Sequence, residues 1–380
     1  MAVRLGTIFS HISGAITTKF TEIFDAALRT DGNWTCLPSL TTASKVVSAA
    51  CMVVFFGPDL SADQEFCQAA LAYPEELFHT AMFLLPLPSL LWPITSRWFV
   101  RNHRASDTMV ACLTSAVAKR QKRLNSQMPQ GRDYLQFIID SNSQTDRLTT
   151  EDIVSIILRT WIIAVHETAV TSVNALESLC RHPEYIEPLR HETSAFGSLG
   201  ELDILTGGNG AKVSELDEAP LLDSFLRESS RLNPPNSITM RRKAQTVVKF
   251  RDGTRILKGD MACASSQSIM RSNENYEEAS NFSAWRFIED CGHEASPRFR
   301  NTTRFTGTEL TYPLWGLGKH ACPGRFYASA VLKLFIVHVL REYDIKLPSS
   351  PVPRTHHFAS FIIPDKSSIL YLRKRQEGLD

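Results

Sequence analysis

The 380-residue sequence lacks a surplus of charge of either sign: 41 Lys and Arg face 40 Asp and Glu, a formal net charge of +1. That removes the bulk electrostatic case for a nucleic-acid partner. The basic run Lys119-Arg120-Gln121-Lys122-Arg123 reads as a solvated helix end. Paired cysteines are also lacking. Cys36, Cys51, Cys67, Cys112, Cys180, Cys263, Cys291 and Cys322 form no C-x-x-C and match no zinc spacing. Such usage speaks for free thiols in a reducing compartment and against a disulfide framework. There is no internal repeat and no low-complexity tract. The N-terminal stretch MAVRLGTIFSHISGAITTKF has no apolar run long enough to cross a bilayer. It is free of acids and rich in Ser and Thr, like a transit peptide. With only Arg4 and Lys19 basic, it reads instead as an amphipathic helix.

An uninterrupted apolar span is missing elsewhere too. The most apolar window, Ala81 to Val100, contains Pro86, Pro88 and Pro93, each of which removes a donor and clashes with the preceding turn. The window reads first as a buried loop. Its second reading is a surface that dips into a membrane interface with Trp92 and Trp98 as anchors.

What is present describes a globular chain with a sizeable core: 43% hydrophobic and 21% charged residues. Residues 1 to 125 are expected to be mainly helical, punctuated at Asp31-Gly32-Asn33 and Gly57-Pro58. A polar stretch from Asn125 to Arg132 precedes the next helical block. Thr149 and Asp152 make a capping box, which predicts a long helix from about Glu151 to Cys180, stopped by His182-Pro183. Its centre, Trp161 to Val165, is apolar all round and is expected inside the protein. A further helix should start near Pro183, and residues 197–212 read as loop. Another helix spans Pro220 to Leu232 and ends against Asn233-Pro234-Pro235.

Beyond Pro235 the texture changes to short strands. Thr246 to Phe250 and Thr254 to Leu257 flank Arg251-Asp252-Gly253, a hairpin signal. Phe361 to Ile363 and Ile369 to Leu372 flank Pro364-Asp365-Lys366 and read as a second hairpin. One more helix, Arg325 to Arg341, lies between. The fold class is mainly α with small β-sheets, organised as one domain over residues 1–380.

Three clusters carry chemistry. In Trp315-Gly316-Leu317-Gly318-Lys319-His320-Ala321-Cys322-Pro323-Gly324, Gly316 and Gly318 permit tight turning and bring bare N–H groups towards the sulfur. Gly324 allows a flat cofactor to press against the chain, and His320 is placed for a cofactor carboxylate. The helix after this loop aims its positive end at Cys322 and is expected to lower the thiol pKa. In Phe225-Leu226-Arg227-Glu228-Ser229-Ser230-Arg231, Glu228 and Arg231 share a helix face. They form either an exposed ion pair of little worth or, with Arg286 as third partner, a buried network. In Ala164-Val165-His166-Glu167-Thr168, an acid and a hydroxyl sit inside an apolar helix, which is costly unless they are satisfied or used. Thr168 could bond back to its own helix, and His166 reads as a core histidine.

Taken in order, these clusters resemble the cytochrome P-450 family of haem-thiolate monooxygenases. The loop 315–324 is similar to that family's aromatic-Gly-x-Gly-x-basic-x-Cys-x-Gly element. Glu228 to Arg231 matches its Glu-x-x-Arg helix, Trp285-Arg286-Phe287 its aromatic-Arg-Phe element, and Glu167-Thr168 its acid–Thr pair. The wording of GKHACPGRF and Met240-Arg241-Arg242-Lys243 resembles fungal members that modify terpenoid or alkaloid skeletons.

The resemblance implies haem with Cys322 as axial thiolate, and His320 with Arg241 or Arg242 at the haem propionates. Glu167 and Thr168 would order water that protonates bound oxygen. It also implies an apolar small-molecule substrate, electrons from NADPH through a cytochrome P-450 reductase, and substrate-facing loops around Asn236-Ser237-Ile238 and Phe361. Two departures stand out. Val165 replaces the glycine that many members carry before the acid–Thr pair. The front of the family fold is also missing, since residues 1 to 30 already resemble the portion beyond the membrane anchor and much of the first sheet. A full-length form is expected on the cytosolic face of the endoplasmic reticulum membrane, and this chain, without an anchor, in the cytoplasm. A haem-binding remnant without activity, and a haem-thiolate enzyme performing dehydration, cyclisation or isomerisation, are the alternative expectations.

Overall fold

The computed structural model describes residues 13–29, 31–100, 104–124, 133–143, 147–194, 196, 216, 219–288, 304–349 and 355–376. The readings for residues 1–12, 125–132 and 197–212, and for Cys291, lie outside these.

Helix α1 (Ser13–Ala27) buries Ile16, Phe20 and Phe24 along one stripe. After the short strand β1 (Thr35–Pro38) come α2 (Ser39–Ser61) and α3 (Gln64–Leu84). Helix α2 breaks at Gly57, whose φ of 76° belongs to the left-handed region. A Cβ there would lie 2.4 Å from Asp133 Oδ2. Arg120 bridges the break, donating to Phe56 O at 2.8 Å and to Asp133 Oδ1 at 2.6 Å.

Two amphipathic pieces come next, α4 (Trp92–Val100) and α5 (Arg104–Leu124), then α6 (Tyr134–Ser143). The window from Ala81 is therefore not a buried loop. Pro86 and Pro88 end α3, and Pro93 sits in the first turn of α4, where its missing N–H costs nothing. Apolar side chains of this segment stand exposed: Phe83 is 58% exposed, Leu90 86% and Ile94 73%.

The long helix α7 (Thr150–Arg181) opens with the expected capping box: Thr149 Oγ1 accepts from Asp152 N at 3.2 Å, and Asp152 Oδ2 accepts from Thr149 N at 3.0 Å. It is not enclosed all round, because Ile163 is 58% exposed. Trp161 on the opposite face donates to Ala70 O at 2.9 Å and meets Phe56 at 4.9 Å between centroids. Phe55 joins this cluster to Tyr134 at 5.0 Å and Tyr327 at 6.0 Å. One aromatic nucleus thus ties α2, α6 and α7 to the helix behind Cys322, each ring pair adding about 0.5–1.5 kcal/mol beyond its burial.

A 3₁₀ turn at Pro183–Tyr185 leads into α8 (Ile186–Ser194), and α9 (Pro220–Leu232) ends where Asn233-Pro234 forbids continuation. The strands after it are short. β2 (Thr239–Lys243) pairs with β5 (Met261–Ala264), and β3 (Val248–Lys249) pairs with β4 (Arg255–Ile256). Helices α10 (Ser266–Met270) and α11 (Arg325–Glu342) complete the helical set among the described residues. The second expected hairpin does not form. β8 (Phe361–Pro364) folds back on β7 (Thr355–Phe358), while β9 (Ile369–Lys374) lies between β1 and β6 (Tyr343–Lys346). Leu370 and Leu372, on one face of β9, are buried there with Leu37 of β1, so the apolar alternation is satisfied by a distant partner rather than the adjacent one.

Helix α11 is fixed from two sides. Phe20 and Phe24 of α1 pack on Phe335, and Lys333 makes a buried 2.9 Å ion pair with Asp223 of α9.

Candidate active site

The loop before α11 is closed by its backbone. Cys322 N donates to Trp315 O at 2.7 Å, Ala321 N to Gly318 O at 3.1 Å, and Trp315 Nε1 to Phe305 O at 2.7 Å. Gly316 and Gly318 have φ of 73° and 61°, which a side chain would strain. A Cβ on Gly324 would stand 4.0 Å from Cys322 Sγ, so the glycine keeps the space beside the sulfur open. The backbone N–H groups of Gly324 and Arg325 favour the charged form of that sulfur.

Even so, the thiol is not activated in the expected direction. Burial pushes the Cys322 thiol up, more than the two N–H groups and Arg325 pull it down, and the carboxylate of Glu167 adds to the rise. Desolvation of a thiolate exceeds what one helix terminus returns. A metal cation inverts this balance, because a coordinating thiol is deprotonated outright. Among the described residues no cluster of three His, Cys, Asp or Glu could hold a bare ion. One thiol with two N–H donors and open glycine flanks suits a metal that brings its remaining ligands with it, as haem iron does.

Strand β2 lies against this loop: Met240, itself at φ 54°, has its Cγ 4.0 Å from where a Cβ of Gly316 would be. The next two residues, Arg241 and Arg242, are exposed. Arg241 donates to Ser360 Oγ in the β7–β8 turn, and Arg242 donates to Arg241 O at 2.8 Å. His320 is exposed at the loop's rim. The fold thus brings the strand that carries Arg241 and Arg242 against the loop that carries His320 and Cys322.

Glu167 and Thr168 occupy the middle of α7. Glu167 Oε1 accepts from Asn236 Nδ2 at 3.0 Å, and burial raises its carboxyl above the ordinary range against the effect of that bond. Its influence on Cys322 places both in one electrostatic environment. Bonding back to the helix is done one turn later, by Thr171 to Glu167 O and Ser172 to Thr168 O, both at 2.8 Å. Val165 is buried. His166 stacks on Phe78 at 5.4 Å, and burial lowers its pKa, which suits a neutral core histidine.

Glu228, Arg231 and Arg286 meet. Arg231 donates to Glu228 at 2.7 and 2.9 Å, and Arg286 Nε lies 3.1 and 3.2 Å from the two carboxylate oxygens. Ser283 N donates to Glu228 Oε1 at 2.9 Å, and Arg231 Nη1 reaches Met270 O and Ala279 O at 2.7 Å each. The exposed ion pair is the reading that fails.

Three further sets of partners escaped sequence reasoning. Arg227, beside Glu228, pairs with Glu309 at 2.7 Å and lies over the rings of Phe287 and Tyr312 at 4.4 and 4.3 Å. Glu192 accepts from Leu221 N and Leu222 N at 2.7 and 2.9 Å, so it caps α9 from another helix. Asn236 reaches Glu167. Only Arg227 left a local sign, a second arginine on an already charged helix.

Comparison with known proteins agrees with this geometry. Residues 16–371 match the model of the cytochrome P-450 family. The chain is 28% identical over 354 residues to cytochrome P-450 monooxygenase AN1598 of Emericella nidulans, an alignment covering 90% of this chain and 63% of that protein. It is 29% identical to cytochrome P-450 monooxygenase 151 of Postia placenta, over 98% of this chain and 73% of the relative. The fold superposes on the retinoic-acid-bound cyanobacterial CYP120A1 with a TM-score of 0.70 at 19% identity, covering 99% of this chain and 76% of that one. Loop, helices and sheets together with these matches show that the chain belongs to the cytochrome P-450 family.

Proposed function

We propose that the protein is a haem-thiolate monooxygenase that inserts one oxygen atom from O2 into an apolar small molecule, a terpenoid or alkaloid intermediate of fungal secondary metabolism. The observation that carries the proposal is the loop around Cys322, closed by the bond from Cys322 N to Trp315 O, turned at Gly316 and Gly318 in the left-handed region, and kept clear of a side chain beside the sulfur by Gly324. Bound haem supplies oxygen activation. Cys322 would supply the thiolate that holds the haem iron, with the N–H groups of Gly324 and Arg325 favouring its charged form. His320, with Arg241 or Arg242, would hold the propionates. Glu167 and Thr168 hold and hand on protons, general acid–base work of the kind worth about 10²–10⁴-fold. Electrons come from NADPH through a reductase. That the relatives named above are monooxygenases of fungi supports the setting. A full-length form works at the cytosolic face of the endoplasmic reticulum membrane, and the exposed Phe83, Leu90 and Ile94 support peripheral contact of this chain with such a surface.

The test is spectroscopic. The full chain, purified with haem, reduced and exposed to carbon monoxide, is expected to give the red-shifted Soret band of thiolate-ligated haem. Cys322→Ala is expected to abolish it. A histidine-type band, or persistence of the thiolate band in the variant, overturns the ligand assignment. The same preparation is expected to float with phospholipid vesicles, and recovery of all protein in the lipid-free fraction removes the membrane element.

A further inference from the structure

The bond from Asn236 to Glu167 joins residues 69 apart in sequence, and the loop that carries Asn236 is held on every side. Ile362 N donates to Pro235 O at 2.9 Å and Ser237 N to Ser360 O at 2.8 Å. Ser266 Oγ donates to Asn236 O at 2.9 Å, Gln267 N to Ser237 O at 3.1 Å, and Asn236 forms a bridge with Phe361. A side chain leaving so constrained a backbone has little freedom left, which is what preorganisation requires. The same turn also reaches the residue before Glu167 through one intervening ring. Phe358 and Phe361 both pack on Phe78, which stacks on His166. Among the described residues, His166 adjoins Glu167 in the chain, with its pKa lowered by burial, and the Glu167 charge is felt at Cys322.

We infer that Asn236 is a positioning residue, whose amide fixes the Glu167 carboxyl in one orientation and couples that orientation to the Phe358–Phe361 turn. An amide N–H can donate to a carboxylate oxygen and to the carbonyl oxygen of a carboxylic acid alike. Holding Oε1 therefore keeps the group in place while a proton leaves and returns at Oε2, with no net change in the acid. The inference rests on the proton-handling role proposed for Glu167.

The test is a cycle of Asn236→Asp, Asn236→Ala and Glu167→Gln in the full chain. The Glu167 carboxyl band is identified by infrared difference against Glu167→Gln and titrated with pH. Asn236→Asp keeps the side-chain shape, so it guards against misfolding of the alanine variant. Both substitutions are expected to move the carboxyl midpoint to higher pH, one by adding a like charge and the other by removing a donor. Turnover is expected to fall about tenfold, the worth of one hydrogen bond to a charged group. In the Glu167→Gln background the same changes are expected to have no further effect. An unmoved midpoint, or an equal loss in both backgrounds, overturns the inference. The titration is read on the protein itself, so it decides the matter even if the haem experiment fails.

Discussion

Glu228 and Glu167 are both acids set into helices of the protein interior, and they are treated in opposite ways. Glu228 is fully buried and takes hydrogen bonds from Arg231, Arg286 and the Ser283 amide, so every direction around its carboxylate is filled. Glu167 has one hydrogen bond from a described residue, Asn236, and burial raises its pKa. A carboxylate bonded to two arginines and a backbone amide holds three segments together. A carboxylate given one neutral donor is left able to change its protonation state. Residue type does not distinguish structure from chemistry here; the number and charge of the partners do.

The contrast is tested most severely at Arg231. Arg231→Ala leaves Glu228 as a buried acid with its main cation gone, and removes donors to the carbonyls of Met270, Ala279 and Asn281. The expected loss is about 3–5 kcal/mol, the usual result of removing one partner of a buried pair. Urea denaturation measures it, with a drop in haem retention at temperatures where the parent is folded. A loss below about 1 kcal/mol would mean that Glu228 finds water or another donor, and the contrast with Glu167 would fail.

A smaller effect of opposite sign is expected at Glu167. Its carboxyl lies above the ordinary 4.5 because burial disfavours the charge, so the folded protein keeps a proton that the unfolded chain releases. The penalty is absent below the unfolded value and grows as pH rises towards the raised folded one. Glu167→Gln should therefore stabilise the protein by about 1 kcal/mol at neutral pH and leave it unchanged in acid below the ordinary 4.5. Thermal denaturation across that range checks the sign. Turnover should fall even as stability rises. A variant destabilised at neutral pH would show that Glu167 is held as firmly as Glu228.

Much of this contrast is legible in the sequence where the signal is local. The capping box at Thr149 and Asp152 and the Asn233-Pro234 stop locate α7 and α9, because caps and prolines act within one turn. The glycines around Cys322 announce a loop whose φ values only glycine adopts readily. The partners are less legible. Strand β9 pairs with β1, placing Leu372 opposite Thr35, and no neighbouring residue encodes so distant a choice. Asn236 reads in sequence as part of a substrate-facing loop, and the bond to Glu167 exists only because the β7–β8 turn presses that loop into place. The direction of the Cys322 shift is hidden for a related reason: the sequence displays the helix N-terminus but not the depth of burial that outweighs it. The segment after α3 errs the other way, since its apolar content reads as buried while Leu90 and Ile94 stand exposed.

The smallest expected effect isolates burial from spacing. Lys19 and Glu22 stand three apart on α1 with a 2.7 Å ion pair, the same separation and distance as Glu228 and Arg231. Their side chains are 47% and 55% exposed, against 0% for both members of the buried pair. In water the two charges are screened, and holding two long side chains in register costs most of what the attraction returns. Glu22→Gln should accordingly shift stability by less than about 0.5 kcal/mol, and what remains should vanish in high salt. Urea denaturation in low and high salt, run beside Arg231→Ala, makes the measurement. Comparable losses in the two variants would show that the i, i+3 geometry itself carries the energy. The several-fold difference expected here would place it in the surroundings of the pair, the same variable that separates Glu228 from Glu167.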